Sequence, residues 1–286
     1  MADTFFKKNR LINCNGKLID LSTPVVMGIL NITPDSFYAK SRIGEKDVIK
    51  QAKEMLEQGA SIIDIGAYSS RPGAEHVDFN TEWNRLSPVL NSIRKNFPDA
   101  IISVDTFRAE IAHRVVKDYN VDIINDISAG EMDVAMFETV AELNVPYIIM
   151  HMLGTPQTMQ NNPEYKNMMS DIFLYFARKI NKLNMLGVSD IIIDLGFGFG
   201  KTLEHNYELM AKLSDFKIFE LPLLVGISRK SMIYKFLETT PEEVLNGTTV
   251  LNTLALQGGA DILRVHDVKQ ACESVKLFTK VKSYMY

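Results

Sequence analysis

Cysteine is scarce in this 286-residue sequence: Cys14 and Cys272 stand far apart, in no CxxC or Cys/His ligand spacing. That excludes a disulfide framework and a cysteine-based zinc site, and leaves two ordinary reduced thiols. Long apolar runs are missing too, none approaching the roughly 18 residues a membrane span needs. The first residues, Met-Ala-Asp-Thr-Phe-Phe-Lys-Lys, lack a basic start followed by an apolar stretch. The expectation is a soluble, cytoplasmic protein without a signal peptide. There is no excess of positive charge either: Lys plus Arg number 31 against 35 for Asp plus Glu, a net −4. No broad basic field advertises nucleic acid or an anionic membrane, although a local anion site stays open. With 46% hydrophobic and 23% charged residues the chain is not disordered, and with no Pro/Ser-rich linker residues 1–286 read as a single domain.

What is present is a rhythm. Asn15-Gly16, the pair a tight type I′ turn prefers, sits between two short alternating runs, so residues 10–22 read as a β-hairpin. Runs rich in Val and Ile then recur at 25–30, 61–65, 100–104, 121–124, 145–150, 190–193, 222–227 and 260–265. Continuous apolar runs of this length suit strands buried on both faces of a parallel sheet. Helical spacing marks 45–58, 107–119, 132–143, 164–187, 204–213 and 241–257, with Gly59 and Gly187 as stops. Eight such strands alternating with helices give an α/β fold, a (β/α)8 TIM barrel with an N-terminal β-hairpin. An open doubly wound sheet is the alternative. Segments 32–44 and 67–80, rich in Pro, Gly, Ser and Arg, read as loops over the barrel mouth, and Trp83 as a packing residue.

In such a barrel the residues just past each strand converge on one face. Here they are Asn31; Asp64 with Ser69-Ser70-Arg71; Asp105; Asn125-Asp126; His151; Asp194; Ser228-Arg229-Lys230; and Arg264 with His266 and Asp267. Any one of these has an ordinary explanation, because Asp and Asn cap helices and favour turns. A polar group after all eight strands is harder to dismiss. Asp105, Asn125 and Asp194 suit a flat, hydrogen-bond-rich ring, and Arg71, Lys230, Arg264 and His266 suit an anion with several oxygens. Together they point to a polar heterocycle carrying a phosphate-type group; a surface salt-bridge mesh is the competing reading. The Gly196–Thr202 segment fails both the P-loop and the dinucleotide fingerprints, since Leu195 and Lys201 stand where each needs glycine. It is expected to bring backbone close to a ligand, with a plain tight turn as the alternative.

Several separated motifs carry a resemblance. Gly28-Ile29-Leu30-Asn31-Ile32-Thr33-Pro34-Asp35-Ser36-Phe37 and Ser69-Ser70-Arg71-Pro72-Gly73 are followed by Ser103-Val104-Asp105-Thr106 and Asn125-Asp126-Ile127-Ser128. Met150-His151-Met152, Gly198-Phe199-Gly200-Lys201, Ser228-Arg229-Lys230-Ser231 and Arg264-Val265-His266-Asp267-Val268 complete the series. In this order they resemble the dihydropteroate synthase family of pterin-binding TIM barrels, almost end to end. The resemblance implies condensation of 6-hydroxymethyl-7,8-dihydropterin pyrophosphate with p-aminobenzoate, in folate biosynthesis, with Mg²⁺, sulfonamide sensitivity and a homodimer. It implies pterin contacts from Asp105, Asn125, Met150, Asp194, Phe199, Gly226, Lys230 and Arg264. Asn31, Ser70, Arg71, Arg264 and His266 would hold pyrophosphate, with Asn31 the Mg²⁺ ligand. Phe37, Ser70, Arg71, Pro72, Lys230 and Ser231 would shape the p-aminobenzoate site, and Asp35 would act from the first loop.

The chain departs from the family pattern at Tyr68, where an acidic residue is usual, at Leu195, where proline is usual, and at Tyr38-Ala39-Lys40. The chemistry that follows is displacement at the pterin methylene carbon along an SN1-like path. Arg71, Arg264 and His266 neutralise the departing pyrophosphate, and Asp105 faces the charge developing on the ring. The arylamine is already neutral at pH 7, so no strong base is required and His151 reads as structural. A pterin-barrel methyltransferase is the rival of another class, but it has no use for a pyrophosphate clamp. A catalytically silent pterin-binding homologue is the second rival.

Overall fold

The computed structural model describes residues 11–32, 42–68, 77–159 and 163–285. Asp35, Phe37, Ser70, Arg71 and Pro72 lie outside the described residues. A hairpin comes first, β1 (Leu11–Cys14) and β2 (Lys17–Asp20), paired antiparallel with Asn13 opposite Leu18. Asn15 and Gly16, at φ 52° and 87°, make its turn, so both central residues take the left-handed conformation that Asn-Gly tolerates.

Eight parallel strands follow: β3 (Val25–Asn31), β4 (Ile62–Gly66), β5 (Ile101–Asp105), β6 (Ile123–Asp126), β7 (Tyr147–Met150), β8 (Ile191–Asp194), β9 (Leu223–Val225) and β10 (Ile262–Val265). They close into a barrel, β10 pairing with β9 on one side and β3 on the other, in register Val265 to Gly28. Helices α1 (Arg42–Glu57), α2 (Phe79–Asn96), α3 (Ala109–Tyr119), α4 (Met136–Leu143), α5 (Met168–Met185), α6 (Leu203–Ala211), α7 (Ser231–Tyr234), α8 (Leu245–Gly258) and α9 (Val268–Lys282) run between and after the strands. The expected TIM barrel with its N-terminal hairpin is the observed fold. No helix among the described residues is long and apolar enough to cross a membrane.

The hairpin has a packing role that composition did not disclose. Its Ile12, Cys14, Ile19 and Leu21 are buried in one cluster with Met27, Ile62, Ile123, Ile148, Ile192, Leu224 and Ile262. Those partners come from the barrel strands, mostly near their N-terminal ends, so the hairpin plugs the bottom of the barrel. Both cysteines are free and buried, and burial pushes the Cys14 thiol up to about 12.

Two segments differ from the sequence expectation. The helix after β3 begins at Arg42, inside the segment read as loop, and α2 begins at Phe79, inside the second. The α2 helix contains Pro88, which interrupts its helical signature in the sequence. Its apolar face was nonetheless in the sequence: Leu86, Val89, Leu90 and Ile93 follow helical spacing and are fully buried. Asp78 caps it, accepting from Thr81 N at 2.9 Å. Trp83 packs against the core, with the Arg114 guanidinium 5.3 Å from its ring.

Candidate functional site

At the C-terminal mouth of the barrel, one cation ties together residues from distant parts of the chain. Arg264, on β10, donates from Nε to Asp64 Oδ2 at 2.6 Å and from Nη2 to Asp105 Oδ2 at 2.9 Å. Asp64 comes from β4 and Asp105 ends β5, and the register sets Gly66 beside Asp105 and Asp105 beside Asn125. Asn125 Nδ2 in turn donates to Asp64 Oδ2 at 3.1 Å. Asp64 is wholly buried, and its Oδ1 has no hydrogen-bond partner among the described residues.

These groups sit in low dielectric, which disfavours charge. Burial raises the Asp105 carboxyl well above the usual carboxylate range, against the pull of Arg264 and reinforced by Asp64. Burial acts against Arg264 as well, but the two carboxylates beside it more than compensate and hold the guanidinium charged. Glycine keeps the space open. A Cβ at Gly226 would meet the Arg264 stem at 3.7 Å, and one at Gly66 would lie 3.5 Å from Asp105 Cβ and 3.7 Å from Asn31 Oδ1.

The opposite wall is built from β7, β8 and β9. Asp194 ends β8 directly beside Met150 of β7 and accepts from Gly196 N at 2.8 Å. Burial raises its carboxyl, with Lys230 pulling the other way. Lys230 donates to Phe197 O at 2.5 Å and lies 4.8 Å from the Phe199 ring. Burial lowers its ammonium to about 8, with Asp194 opposing. Met150 belongs to a small apolar cluster with Ile127, Met152 and Met159, against which Phe199 packs. Six of the eight residues expected to contact a ring (Asp105, Asn125, Asp194, Gly226, Lys230 and Arg264) thus share one mouth, with Met150 and Phe199 as its apolar wall.

The rim is braced between β9 and β10. Ser228 Oγ lies 3.2 Å from both the His266 backbone N and Nδ1, leaving the imidazole exposed. Arg229, at φ 55°, grips Asp267 through Nε and Nη2 at 2.9 and 2.8 Å. The pair is structural, and it fixes the residues next to it, Lys230 and His266. Ser231 opens α7 beside them. Asn31 ends β3 with its side chain exposed at the mouth. Among the described residues no three of His, Cys, Asp and Glu gather as a metal site. The Asn31 amide oxygen is the exposed hard oxygen donor that ends β3 at this mouth.

Some strand-end residues serve the scaffold. Asp126 accepts from Ser128 N and Oγ, Gly130 N and Tyr147 OH at 2.7–2.8 Å. His151 is buried, and Lys201 Nζ lies 3.0 Å from its Nδ1. Burial and the Lys201 charge lower the imidazole to about 2, so His151 is neutral and structural, as expected. Lys201 also donates to His151 O, Gly196 O and Phe199 O. The glycine-rich segment is explained by this packing as much as by a ligand. A Cβ at Gly196 would stand 1.9 Å from His151 O, and one at Gly200 would stand 2.6 Å from Leu153 O. Only Gly198 faces Lys230, at 3.4 Å.

Two buried acids, Asp64 and Glu82, lie outside the expected site set. Asp64, a strand-end residue outside the expected ring-binding set, carries its signal as a carboxylate inside an otherwise apolar strand, Ser61-Ile62-Ile63-Asp64-Ile65. Glu82 of α2 is buried, accepts from Thr106 Oγ1 at 2.7 Å and pairs with Arg108. That network anchors the residues after Asp105. Tyr68 packs edge-on to Phe107 at 5.1 Å and accepts at its hydroxyl from Gln157 Nε2 at 2.9 Å.

Residues 27–266 match the family described as pterin binding enzyme. The dihydropteroate synthase of Escherichia coli K12 is 43% identical over 265 residues, covering 92% of this chain and 93% of that protein. The dihydropteroate synthase of Haemophilus influenzae is 41% identical over 267 residues, covering 92% and 96%. Among solved structures, Yersinia pestis dihydropteroate synthase with a sulfonamide drug superposes with a TM-score of 0.89 at 39% identity, covering 96% of this chain and 99% of that one. The Xanthomonas albilineans enzyme with 4-aminobenzoic acid gives 0.87 at 32% identity, covering 96% and 98%. With its closed barrel and one mouth crowded by acids, an amide and an arginine, the chain belongs to the dihydropteroate synthase family of pterin-binding enzymes.

Proposed function

We propose that this chain is a transferase that joins 6-hydroxymethyl-7,8-dihydropterin pyrophosphate to p-aminobenzoate, forming 7,8-dihydropteroate and pyrophosphate. The observation that carries the reading is Arg264 locked between Asp64 and Asp105, with Asn125, Asp194 and Lys230 around the same mouth. Acceptors from Asp105, Asn125 and Asp194 meet the N–H groups of the pterin, Lys230 meets its oxygen, and Met150, Phe199 and Gly226 flank its faces. The Arg264 guanidinium lies flat against the ring.

In this reading Arg264 and His266, with Arg71, Ser70 and Asn31, take the pyrophosphate, so positive charge faces the group that departs as the C–O bond breaks. Mg²⁺, when bound, neutralises pyrophosphate oxygens, and the exposed amide oxygen of Asn31 is a fitting donor for so hard an ion. Asp105 counters positive charge spreading from the methylene carbon into the ring, which favours an SN1-like path. The arylamine of p-aminobenzoate then bonds to that carbon and gives up its proton to solvent. Ser231, Lys230, Pro72 and Phe37 receive the benzoate, and Asp35 acts with Phe37 from the first loop. Those placements rest on the family pattern.

The assembly we propose is a homodimer in the cytoplasm. Val250 and Leu254 on α8 and Leu277 and Val281 on α9 are all about half exposed or more, each pair one helical turn apart on neighbouring helices. Sedimentation of the purified protein tests it, and a monomer at micromolar concentration refutes it. The activity is tested by supplying both substrates and following dihydropteroate and pyrophosphate together. Equimolar products, suppressed by a sulfonamide, are expected. Pterin binding without turnover identifies the silent homologue, and methyl transfer the rival enzyme class.

A further inference from the structure

We infer that Asp64 is a positioning residue that determines which ring the pocket accepts; the inference rests on the pterin reading above. Asp64 is wholly buried and touches no open space of the mouth itself. Its Oδ2 takes two donors at once, Arg264 Nε at 2.6 Å and Asn125 Nδ2 at 3.1 Å, while Oδ1 takes none among the described residues. A carboxylate that served stability alone would spread its donors over both oxygens, since an unpaired buried oxygen is costly. Loading one oxygen instead fixes the rotation of two neighbours. An ionised carboxylate only accepts, so the Asn125 amide is turned with its NH₂ toward Asp64 and its carbonyl away. The same oxygen holds the Nε edge of Arg264 while Asp105 holds Nη2, which sets the plane of the guanidinium.

The consequence is chemical selectivity. The pocket then presents three acceptors to the ring, Asn125 Oδ1 with the carboxylates of Asp105 and Asp194, and therefore favours an edge rich in N–H donors such as the 2-amino edge of a pterin. A dioxo ring of the same shape, a lumazine, offers a carbonyl where the pterin offers that amine. Asp64→Asn keeps the shape but replaces a pure acceptor with a group able to donate, so the Asn125 amide is free to turn over.

The test is calorimetric titration of the full-length protein with 6-hydroxymethylpterin and with 6-hydroxymethyllumazine. The wild type is expected to prefer the pterin. In Asp64→Asn the ratio of the two affinities is expected to fall at least tenfold, whatever happens to their absolute values. An equal loss for both rings, or no change, overturns the inference, because a merely structural role weakens both alike. Asn125→Leu, which removes one of the two donors to Asp64 but keeps its carboxylate and its bond to Arg264, keeps the test decisive if Asp64→Asn does not fold: the preference must fall there too, and its persistence overturns the inference. A wild type that binds neither ring refutes the underlying pterin reading, a different outcome from an unchanged ratio.

Discussion

Replacing Asp105 by Asn separates what its charge does for catalysis from what it does for folding. The change keeps the shape and an acceptor for Arg264 Nη2, and Arg264 retains its 2.6 Å bond to Asp64. What is lost is the charged character of one hydrogen bond, worth on the order of 1 kcal/mol. What is gained is release from burying a second carboxylate within reach of Asp64. Because burial raises the Asp105 carboxyl despite Arg264, the gain outweighs the loss. The sign follows from proton linkage: with a raised folded pKa, the folded state holds the proton over a pH range in which the unfolded state has released it. Wild-type stability from this group is therefore lost as pH rises from about 4, the unfolded carboxylate value, through the raised folded one. Asp105→Asn escapes that loss, so its stability relative to wild type must grow with pH. At pH 8 we expect it to be more stable by on the order of 1 kcal/mol, a Tm higher by about 2 °C. Turnover should fall by about 100-fold, the scale of removing one preorganised charge from a transition state, while pterin affinity changes by less than about fivefold. Calorimetric melting from pH 5 to 8, with kcat and pterin binding, reads all three. A Tm that falls relative to wild type as pH rises would refute the burial argument, and equal losses in kcat and affinity would show that the charge serves binding alone.

Other changes give further tests. Gly226→Ala places a methyl at ordinary contact distance, 3.7 Å, from the Arg264 stem, so melting should hold within about 2 °C while pterin affinity drops about tenfold; unchanged affinity would remove Gly226 from the slot. Gly196→Ala sets a Cβ 1.9 Å from His151 O at φ 67°, and a destabilisation of about 3 kcal/mol or more is expected in urea unfolding; a stable variant would mean that the turn relaxes freely. Lys201→Met strands the His151 ring nitrogen and three carbonyls that share its ammonium, and should cost on the order of 3 kcal/mol with weaker pterin binding. Wild-type melting in that variant would show that water replaces the ammonium without penalty.

The barrel was legible because each strand is buried on both faces, and such strands write themselves as uninterrupted Val and Ile. The helix α2 was not, because Pro88 and the neighbouring Pro/Gly-rich segment obscure a good apolar stripe until the stripe is seen buried in the core beside α1 and α3. Strand-end reading found Asp105, Asn125, Asp194 and Arg264 because side chains past parallel strands have one place to converge. It set Asp126 apart without a physical reason, which only the structure supplies. Asp126 and Asp194 look alike in sequence, yet one is spent on the backbone of its own turn and on Tyr147, and the other faces Lys230. Nor could it read the glycines at 196 and 200, whose reason is the carbonyl of a different loop. Asp64 was legible only as an oddity, since its effect passes through two other side chains.

The hairpin that stops the lower end of the barrel has a consequence for traffic. Ile12, Ile19 and Leu21 close the end opposite the mouth, so nothing passes through the barrel. Everything must arrive and depart by one doorway. On the proposed reading, the ring and the group that joins it therefore share that entrance.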